Sequence, residues 1–178
     1  MCIRDRSECG WGQMRAAVGD YRGWEVVISS PLVRCAAFAR ELAEHLERPL
    51  EIAAGFSELS FGVWESRAVA EVNAAEPLAL ARFWRDPVSY PIPRGEPVGD
   101  FDRRVGHAWE ALLERHRGRH ILLVAHGGVI RMILRRLLDM PLQRIWRLEV
   151  PYAAVSRIRR HCDPESEPHL VFHNGRLA

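Results

Sequence analysis

The chain has 178 residues, the length of one ordinary domain and too short for two independent ones. Hydrophobic residues make up 48% of it and charged residues 27%, a composition that fills a core and excludes a mostly disordered or fibrous chain. The 25 Lys and Arg residues nearly balance the 23 Asp and Glu residues, for a formal net charge of +2. This balance excludes the strong positive field on which sequence-independent nucleic-acid binding depends.

The sequence indicates neither a membrane span nor a metal site. Its densest apolar stretch, residues 121–130, contains His126 and is shorter than the roughly 18 uncharged residues that a membrane helix needs. Residues 1–7 lack the apolar middle of a secretory signal. The four cysteines are widely spread without a Cys-x-x-Cys pair, which argues against zinc binding and against a disulfide framework. We therefore expect a cytoplasmic protein that binds neither membrane nor nucleic acid.

In chain order, the first half predicts one strand, two helical segments and a long loop. The strand is the β-branched run Glu25–Ser29. Apolar residues at helical spacing between Cys35 and Leu46 predict a helix. Residues 67–85 are predicted to be helical with an interruption near Pro77. Asp86–Gly99 contains too much proline for a helix or a central strand and is predicted to be an ordered loop.

The second half predicts a helix, a buried strand, another helix and a hairpin. An amphipathic stripe runs from Asp100 to near Gly118. The continuous apolar run Ile121–Ala125 is typical of a strand that is buried on both faces. His126-Gly127-Gly128 connects this strand to the next helix. Two strand-like runs at 153–159 and 169–173, joined by a polar segment, predict a hairpin.

This alternation of strands and helices predicts an α/β fold. We expect a three-layer sandwich with a mainly parallel sheet and helices on both faces. In such sheets, ligands bind beyond the carboxyl ends of the strands, where helix N-termini present unsatisfied N–H groups. The residues that follow the predicted strands are therefore the first candidates for a site.

Polar residues follow two of these strands. Ser30 and Arg34 come after the first, and His126 and Gly127 come after the strand at 121–125. A helix N-terminus and a guanidinium group both favour an anion, so the pattern is typical of a phosphate cradle with an imidazole beside it. Each residue also has an ordinary structural explanation, namely a histidine bonded within the fold and a solvated arginine. Cys35 is predicted to be a core residue and not a nucleophile.

A third candidate segment, residues 56–65, places two carboxylates among aromatic side chains. If Glu58 or Glu65 were buried against Phe61 or Trp64, its pKa would rise toward that of a useful general acid. Alternatively, the aromatic residues only fix the loop to the core and both carboxylates lie in water. The residues themselves leave both interpretations open.

Four short motifs occur in a distinctive order. They are Ser-Ser-Pro-Leu-x-Arg at 29–34, Glu-x-x-Phe-Gly-x-Trp-Glu at 58–65, Pro-x-Gly-Glu at 93–96 and Val-Ala-His-Gly-Gly-Val-Ile-Arg at 124–131. In this order they resemble the histidine phosphatase superfamily, which includes phosphoglycerate mutases and many small phosphatases. Residues 83–87, Phe-Trp-x-Asp-Pro, look most like the α-ribazole phosphatase branch.

The resemblance implies a phosphomonoesterase that forms a phosphohistidine and hydrolyses it with water, without a metal or other cofactor. It implies that Arg34 binds the phosphoryl group and that Glu58 is the general acid and later the base. His126 would hold phosphoryl oxygens in the transition state, with Gly127 also contributing to binding. The implied partner is a small phosphorylated substrate such as α-ribazole phosphate, with specificity residues expected in 67–99 and in an N-terminal loop.

The chain departs from the family pattern at the nucleophile. The nucleophilic histidine of the family lies in an Arg-His-Gly motif after the first strand, and this sequence contains no Arg-His-Gly. Residues 1–9 match nothing in the family and are interpreted as unassigned or a spurious leader, which leaves a single incomplete domain over 10–178. We therefore expect a truncated chain that lacks the first central strand and is inactive or nearly so. A smaller departure is Ser66, where the family commonly has glycine.

Two other interpretations stay open. A non-catalytic homologue that binds a phosphorylated ligand would lack the nucleophile naturally. A structural α/β protein would carry the motifs by coincidence. The sequence does not indicate an oligomeric state.

Overall fold

The computed structural model describes residues 7–161, 163 and 166–177. Its strands are Val26–Ser29 (β1), Leu50–Ile52 (β2), Ile121–Val124 (β3), Ser156–Arg159 (β4) and His169–His173 (β5). Its α-helices are Glu8–Val18 (α1), Val33–Leu46 (α2), Val69–Ala75 (α3), Pro77–Arg85 (α4), Val98–Arg115 (α5) and Gly127–Leu137 (α6). Short 3₁₀ turns lie at Ala54–Phe56, Gly62–Trp64 and Leu142–Arg147. Among the described residues, no helix combines the length and apolar character that crossing a membrane requires.

Three strands form a parallel sheet in the order β2-β1-β3. In the centre, Val27 pairs with Leu50 on one side and with Leu122 on the other. All of β1 is buried, because a strand with neighbours at both edges and helices on both faces has no side chain toward water. β4 and β5 form a separate antiparallel hairpin, as predicted.

Helices cover both faces of this sheet, which confirms the predicted α/β class. Side chains alternate along a strand, so Val26 and Ile28 point to one layer and Val27 to the other. The first layer includes buried residues of α5 and α6 together with the aromatic residues of 56–64. The second is built on α2, with Trp11 of α1 packed against it.

The burial of β3 differs from the prediction of a strand buried on both faces. The structure buries Val124 but leaves Ile121, Leu122 and Leu123 partly exposed. Within the described part of the chain, β1 is the one strand that pairs with β3, so β3 lies at an edge of the sheet. Its side chains still pack into both layers. The partial exposure therefore follows from the position of the strand and not from its composition.

The N-terminal helix begins inside the segment 1–9 that was predicted to be a leader. Residues 1–6 of the predicted leader lie outside the described residues, as does Cys162. Oγ of Ser7 accepts a hydrogen bond from the N–H of Gly10 at 3.2 Å and caps α1. The helix itself starts at Glu8, just before the predicted boundary at residue 10.

The proline-rich loop packs against the segment that carries Glu58. The N–H of Val63 donates to the Pro93 carbonyl at 3.1 Å, and the N–H of Glu96 donates to the Ser60 carbonyl at 3.0 Å. Gly62 lies between them with a φ of 48°, and a Cβ there would come within 2.3 Å of the Pro93 oxygen. Only glycine fits this close approach.

Ser66 follows this segment in the left-handed conformation, with a φ of 60°. Glycine occupies this region freely, whereas a Cβ makes it sterically costly. The position at which the family commonly has glycine is thus one where this chain holds a serine under local strain.

Candidate active site

The candidate site lies at the carboxyl ends of β1 and β3. The parallel register pairs Ser29 with Val124, and the N–H of Ser30 donates to the Val124 carbonyl at 3.0 Å. The two strands therefore end side by side and bring Ser30 next to His126. This is the edge at which parallel α/β sheets bind their ligands.

The His126 ring is buried, with 6% of the residue exposed, and both of its nitrogens have partners. Nε of Arg34 donates to Nδ1 at 3.2 Å, and Nε2 lies 2.7 Å from Oγ of Ser30. Because arginine can only donate, Nδ1 is the acceptor and the neutral ring carries its proton on Nε2. The N–H of Leu32 donates to the same Ser30 oxygen at 3.3 Å and helps to fix it.

Cys35 packs against the His126 ring from α2. Its Sγ lies 3.6 Å from both ring nitrogens and donates to the Ala125 carbonyl at 3.3 Å. The residue is completely buried. A reactive thiol needs access to its target, so the structure agrees with the predicted core role.

Glu58 reaches the same edge from the loop that follows the 54–56 turn. The N–H of Gly128 donates to its Oε2 at 3.1 Å, and the N–H of Leu59 donates to its Oε1 at 3.0 Å. Burial raises the pKa of this carboxyl, because desolvation outweighs the lowering by these two bonds and by Arg34 and Arg131. The Glu58 carboxyl therefore keeps its proton to a higher pH than an ordinary carboxyl does, as a general acid requires.

Contact with the Glu58 carboxyl explains why residue 128, the second of the two glycines at the start of α6, has no side chain. A Cβ on Gly128 would lie 2.2 Å from Oε1 of Glu58 and 3.3 Å from the Phe101 ring. At Gly127 a Cβ would meet only Nη1 of Arg131, at 3.1 Å. Glu58 can thus occupy its position only because residue 128 has no side chain.

Glu65, the other carboxylate of this segment, has a different environment. It is exposed, and its Oε1 accepts a hydrogen bond from the N–H of Phe61 at 2.7 Å. Phe61 and Trp64 are buried and fix the loop to the core. Of the two carboxylates that the sequence left open, Glu58 is the desolvated one and Glu65 supports the loop.

All the predicted site residues lie at this one edge of the sheet. Arg34, in the first turn of α2, bonds to His126 and is close enough to Glu58 to lower its pKa. Gly127 is the first residue of α6, so its N–H is one of those that helix geometry leaves without an intrahelical acceptor. Two cationic side chains, Arg34 and Arg131, and a helix N-terminus therefore surround a desolvated carboxyl, an arrangement suited to an oxyanion.

A cavity of about 480 Å³ opens beside Glu58 and Gly128. Its walls include Trp84 of α4, Arg131 of α6 and Trp146 of the 142–147 turn. The region predicted to hold specificity residues, 67–99, contributes Trp84, whereas Arg131 and Trp146 were not predicted as site residues. The sequence feature that could have identified Arg131 is its position one helical turn after Gly127 on the same predicted helix. Trp146 lies outside every motif, and only tertiary packing brings it here.

Known proteins with similar sequences include enzymes that act on phosphate esters. The bifunctional protein Rv2228c of Mycobacterium tuberculosis is 32% identical over 174 residues, which cover 96% of this chain and 48% of that protein. The adenosylcobalamin/alpha-ribazole phosphatase of Escherichia coli is 29% identical over 136 residues, covering 76% of this chain and 66% of the enzyme. This chain thus spans about half the length of the mycobacterial relative.

Solved structures share the fold over nearly the whole chain. The mycobacterial glucosyl-3-phosphoglycerate phosphatase Rv2419c has a TM-score of 0.80 at 25% identity, covering 96% of this chain and 86% of that one. YhfR of Bacillus stearothermophilus shares the fold with a TM-score of 0.80 at 22% identity, covering 95% and 82%. The family profile described as histidine phosphatase superfamily (branch 1) matches residues 7–172. Because that match includes all four motifs and the sheet edge on which they meet, the chain belongs to the histidine phosphatase superfamily.

Proposed function

We propose that this chain is the phosphatase domain of a phosphomonoesterase that acts on a small phosphorylated metabolite through a phosphohistidine. The observation that carries this proposal is the convergence of Arg34, His126 and a desolvated Glu58. A transferring phosphoryl group needs positive charge and N–H donors around its oxygens, and the departing alkoxide needs a proton. These residues supply both requirements.

Glu58 is the general acid and then the general base of this mechanism. The nucleophilic histidine forms an N–P bond while the P–O bond to the alcohol breaks, and Glu58 gives its proton to the leaving oxygen. Water then attacks the phosphorus as the N–P bond breaks, the Glu58 carboxylate takes a proton from that water, and inorganic phosphate leaves. A raised pKa suits the first step because it keeps the proton on the carboxyl before transfer.

Arg34, His126 and Gly127 hold the phosphoryl oxygens. The guanidinium of Arg34 is planar and can donate to two oxygens at once. A phosphate dianion competes with Nδ1 of His126 for the Arg34 guanidinium, and a His126 ring with protons on both nitrogens would donate to phosphate from Nδ1. Ser30 keeps the ring oriented throughout by accepting from Nε2.

The nucleophile lies in none of these segments, since the sequence contains no Arg-His-Gly. We therefore expect the 178-residue chain to bind phosphate and phosphate esters with little or no turnover. Turnover is expected of a form that also carries an Arg-His-Gly segment. For the substrate we propose α-ribazole phosphate, on the basis of residues 83–87 and of the similarity to the Escherichia coli phosphatase.

The test combines ligand binding with turnover. Calorimetric titration of the 178-residue chain with inorganic phosphate and orthovanadate should show binding that Arg34→Ala abolishes. Arg40→Ala, at an exposed position of the same helix, is the matched control and should bind as the wild type does. A form extended upstream with Arg-His-Gly should hydrolyse p-nitrophenyl phosphate and α-ribazole phosphate. An extended form that hydrolyses neither would refute the enzyme assignment.

A non-catalytic phosphate-binding homologue is the second candidate, and the missing Arg-His-Gly is the observation that favours it. The two candidate functions predict different reading frames upstream of codon 1. An upstream frame that encodes Arg-His-Gly supports the enzyme. A natural start at Met1, with phosphate binding retained, supports the binding protein.

A further inference from the structure

The cavity beside Glu58 lies where the alcohol part of a phosphate ester has to go. Glu58 lines this cavity, and its carboxyl also accepts the N–H of Gly128 at the phosphate-binding end of α6. A general acid faces the leaving oxygen, so the group attached to that oxygen extends away from the phosphoryl site on the Glu58 side. The cavity has a volume of about 480 Å³, which is within the range of small-molecule sites.

Two tryptophans form an aromatic wall of this cavity. The rings of Trp84 and Trp146 meet edge to face, with centroids 4.7 Å apart, and both side chains are partly exposed. Buried Phe83 supports them from behind, at 5.3 Å from Trp84 and 5.4 Å from Trp146. Trp64, also buried, supports Phe83 in turn at 5.6 Å. The wall is therefore held by packing before any ligand arrives.

Arg131 also contacts the Trp146 ring. Its guanidinium lies 5.4 Å from the ring centroid, and its Nε donates to the Leu148 carbonyl at 2.8 Å. The rest of the lining consists of buried Leu59 and Phe61 and of exposed Val69 and Tyr152. A mostly apolar cavity with a packed aromatic wall favours a flat apolar ligand, because aromatic pairs gain from ring geometry as well as from buried area.

We propose that this cavity is the alcohol subsite and that it selects phosphate monoesters whose alcohol carries a planar apolar ring, which packs against Trp84 and Trp146. The inference rests on the proposed function, since it takes Glu58 as the group that faces the leaving oxygen. Trp84 and Trp146 are then the specificity-determining residues, and the phosphoryl site is shared by all substrates.

The experiment compares three ligands on the 178-residue chain by calorimetry: phenyl phosphate, cyclohexyl phosphate and inorganic phosphate. The phenyl and cyclohexyl esters have similar size and differ in planarity. Phenyl phosphate should bind about threefold to tenfold more tightly than cyclohexyl phosphate, as expected for one favourable aromatic pair. Trp84→Leu keeps an apolar side chain without an aromatic ring and should remove this preference, while Trp84→Phe should keep it. Trp11→Leu, on α1 in the other layer, is the matched control and should leave the affinities for all three ligands unchanged.

The outcomes separate the inference from the proposed function. If inorganic phosphate binds and the two esters have equal affinity, the planar-ring subsite is wrong and the phosphate site stands. If none of the three ligands binds, the proposed function fails and the subsite fails with it. If Trp84→Leu does not fold, the comparison of the two esters on the wild-type chain still tests the planar-ring subsite. Loss of phosphate binding in folded Trp84→Leu would also overturn the inference, because this residue is assigned to the alcohol alone.

Discussion

A single methyl group added at Gly128 is expected to displace Glu58, whereas the same methyl at Gly127 is expected to be tolerated. The Cβ of Gly128→Ala would lie 2.2 Å from Oε1 and 3.1 Å from the carboxyl carbon of Glu58. The Cβ of Gly127→Ala would meet only the flexible end of Arg131, at 3.1 Å. Both substitutions lie in the first turn of α6, so helix propensity affects them alike.

The size of the effect follows from the bond that is lost. Displacing the carboxyl leaves the buried N–H of Gly128 without its acceptor, which costs about 1–3 kcal/mol, and replacing glycine by alanine at a compatible position returns about 0.4–1 kcal/mol. Gly128→Ala should therefore destabilise by about 1–2 kcal/mol, whereas Gly127→Ala should be neutral or stabilise by up to about 1 kcal/mol. In a domain of this size, 1 kcal/mol corresponds to about 2–4 °C in Tm. The two variants should melt roughly 2–12 °C apart.

The assay is thermal and urea unfolding of both variants, followed by circular dichroism. A double-mutant cycle with Glu58→Ala isolates the contact, because in that background the methyl at Gly128 meets no carboxyl. There, Gly128→Ala should cost nothing or stabilise. Equal stability of the two single variants, or a cost that persists without Glu58, would refute the steric argument.

Four further outcomes follow from the same contacts. Arg131→Met should raise the pKa of Glu58 further, since it removes a charge that lowers it, and Arg131→Lys should have the smaller effect; carboxyl ¹³C shifts against pH measure both. Because the folded state holds the Glu58 proton more tightly than the unfolded state, the contribution of this residue to stability is largest below its unfolded pKa. That contribution should fall as pH rises through the folded pKa, and urea unfolding across pH should show Glu58→Gln without this slope. Asp102→Ala should cost about 3 kcal/mol in urea unfolding, because it removes the buried carboxylate that pairs with Arg135 and Arg136 and leaves only exposed Glu110 beside Arg136. Exposed Asp100→Ala, in contrast, should stay within about 0.5 kcal/mol. Ser66→Gly should stabilise by about 0.5–1 kcal/mol through relief of its left-handed backbone, and an unchanged urea midpoint would contradict this.

The secondary structure was largely predictable because its signals are local. The β-branched run before Ser29 and the helical stripe after Cys35 both appear as predicted, as β1 and α2. Pro77 divides the helical segment at 67–85, since proline is tolerated in the first turn of a helix but not inside one. The strand β2 was missed because its three residues, Leu50–Ile52, are too few to show a periodicity.

The candidate site was predictable as a set of residues but not as an arrangement. The motifs supplied Arg34, Glu58 and His126. The residue types of segment 56–65 alone could not distinguish a desolvated Glu58 from an exposed Glu65, because both carboxylates follow aromatic residues in the same loop. Burial is a property of what packs on a side chain from elsewhere in the fold. It is the start of α6, far away in sequence, that covers Glu58.

The sequence by itself determined the α/β class, the helices and strands with clear patterns, and the motifs that place this chain in its superfamily. These depend on hydrophobic period, on proline and glycine, and on residue types in order along the chain. Only the tertiary structure decided that Ser30 orients His126, that Gly128 makes room for Glu58, and that Trp84 and Trp146 share one cavity. Each of these contacts joins residues distant along the chain, and the free energy of such a contact depends on distances and burial that no local pattern records.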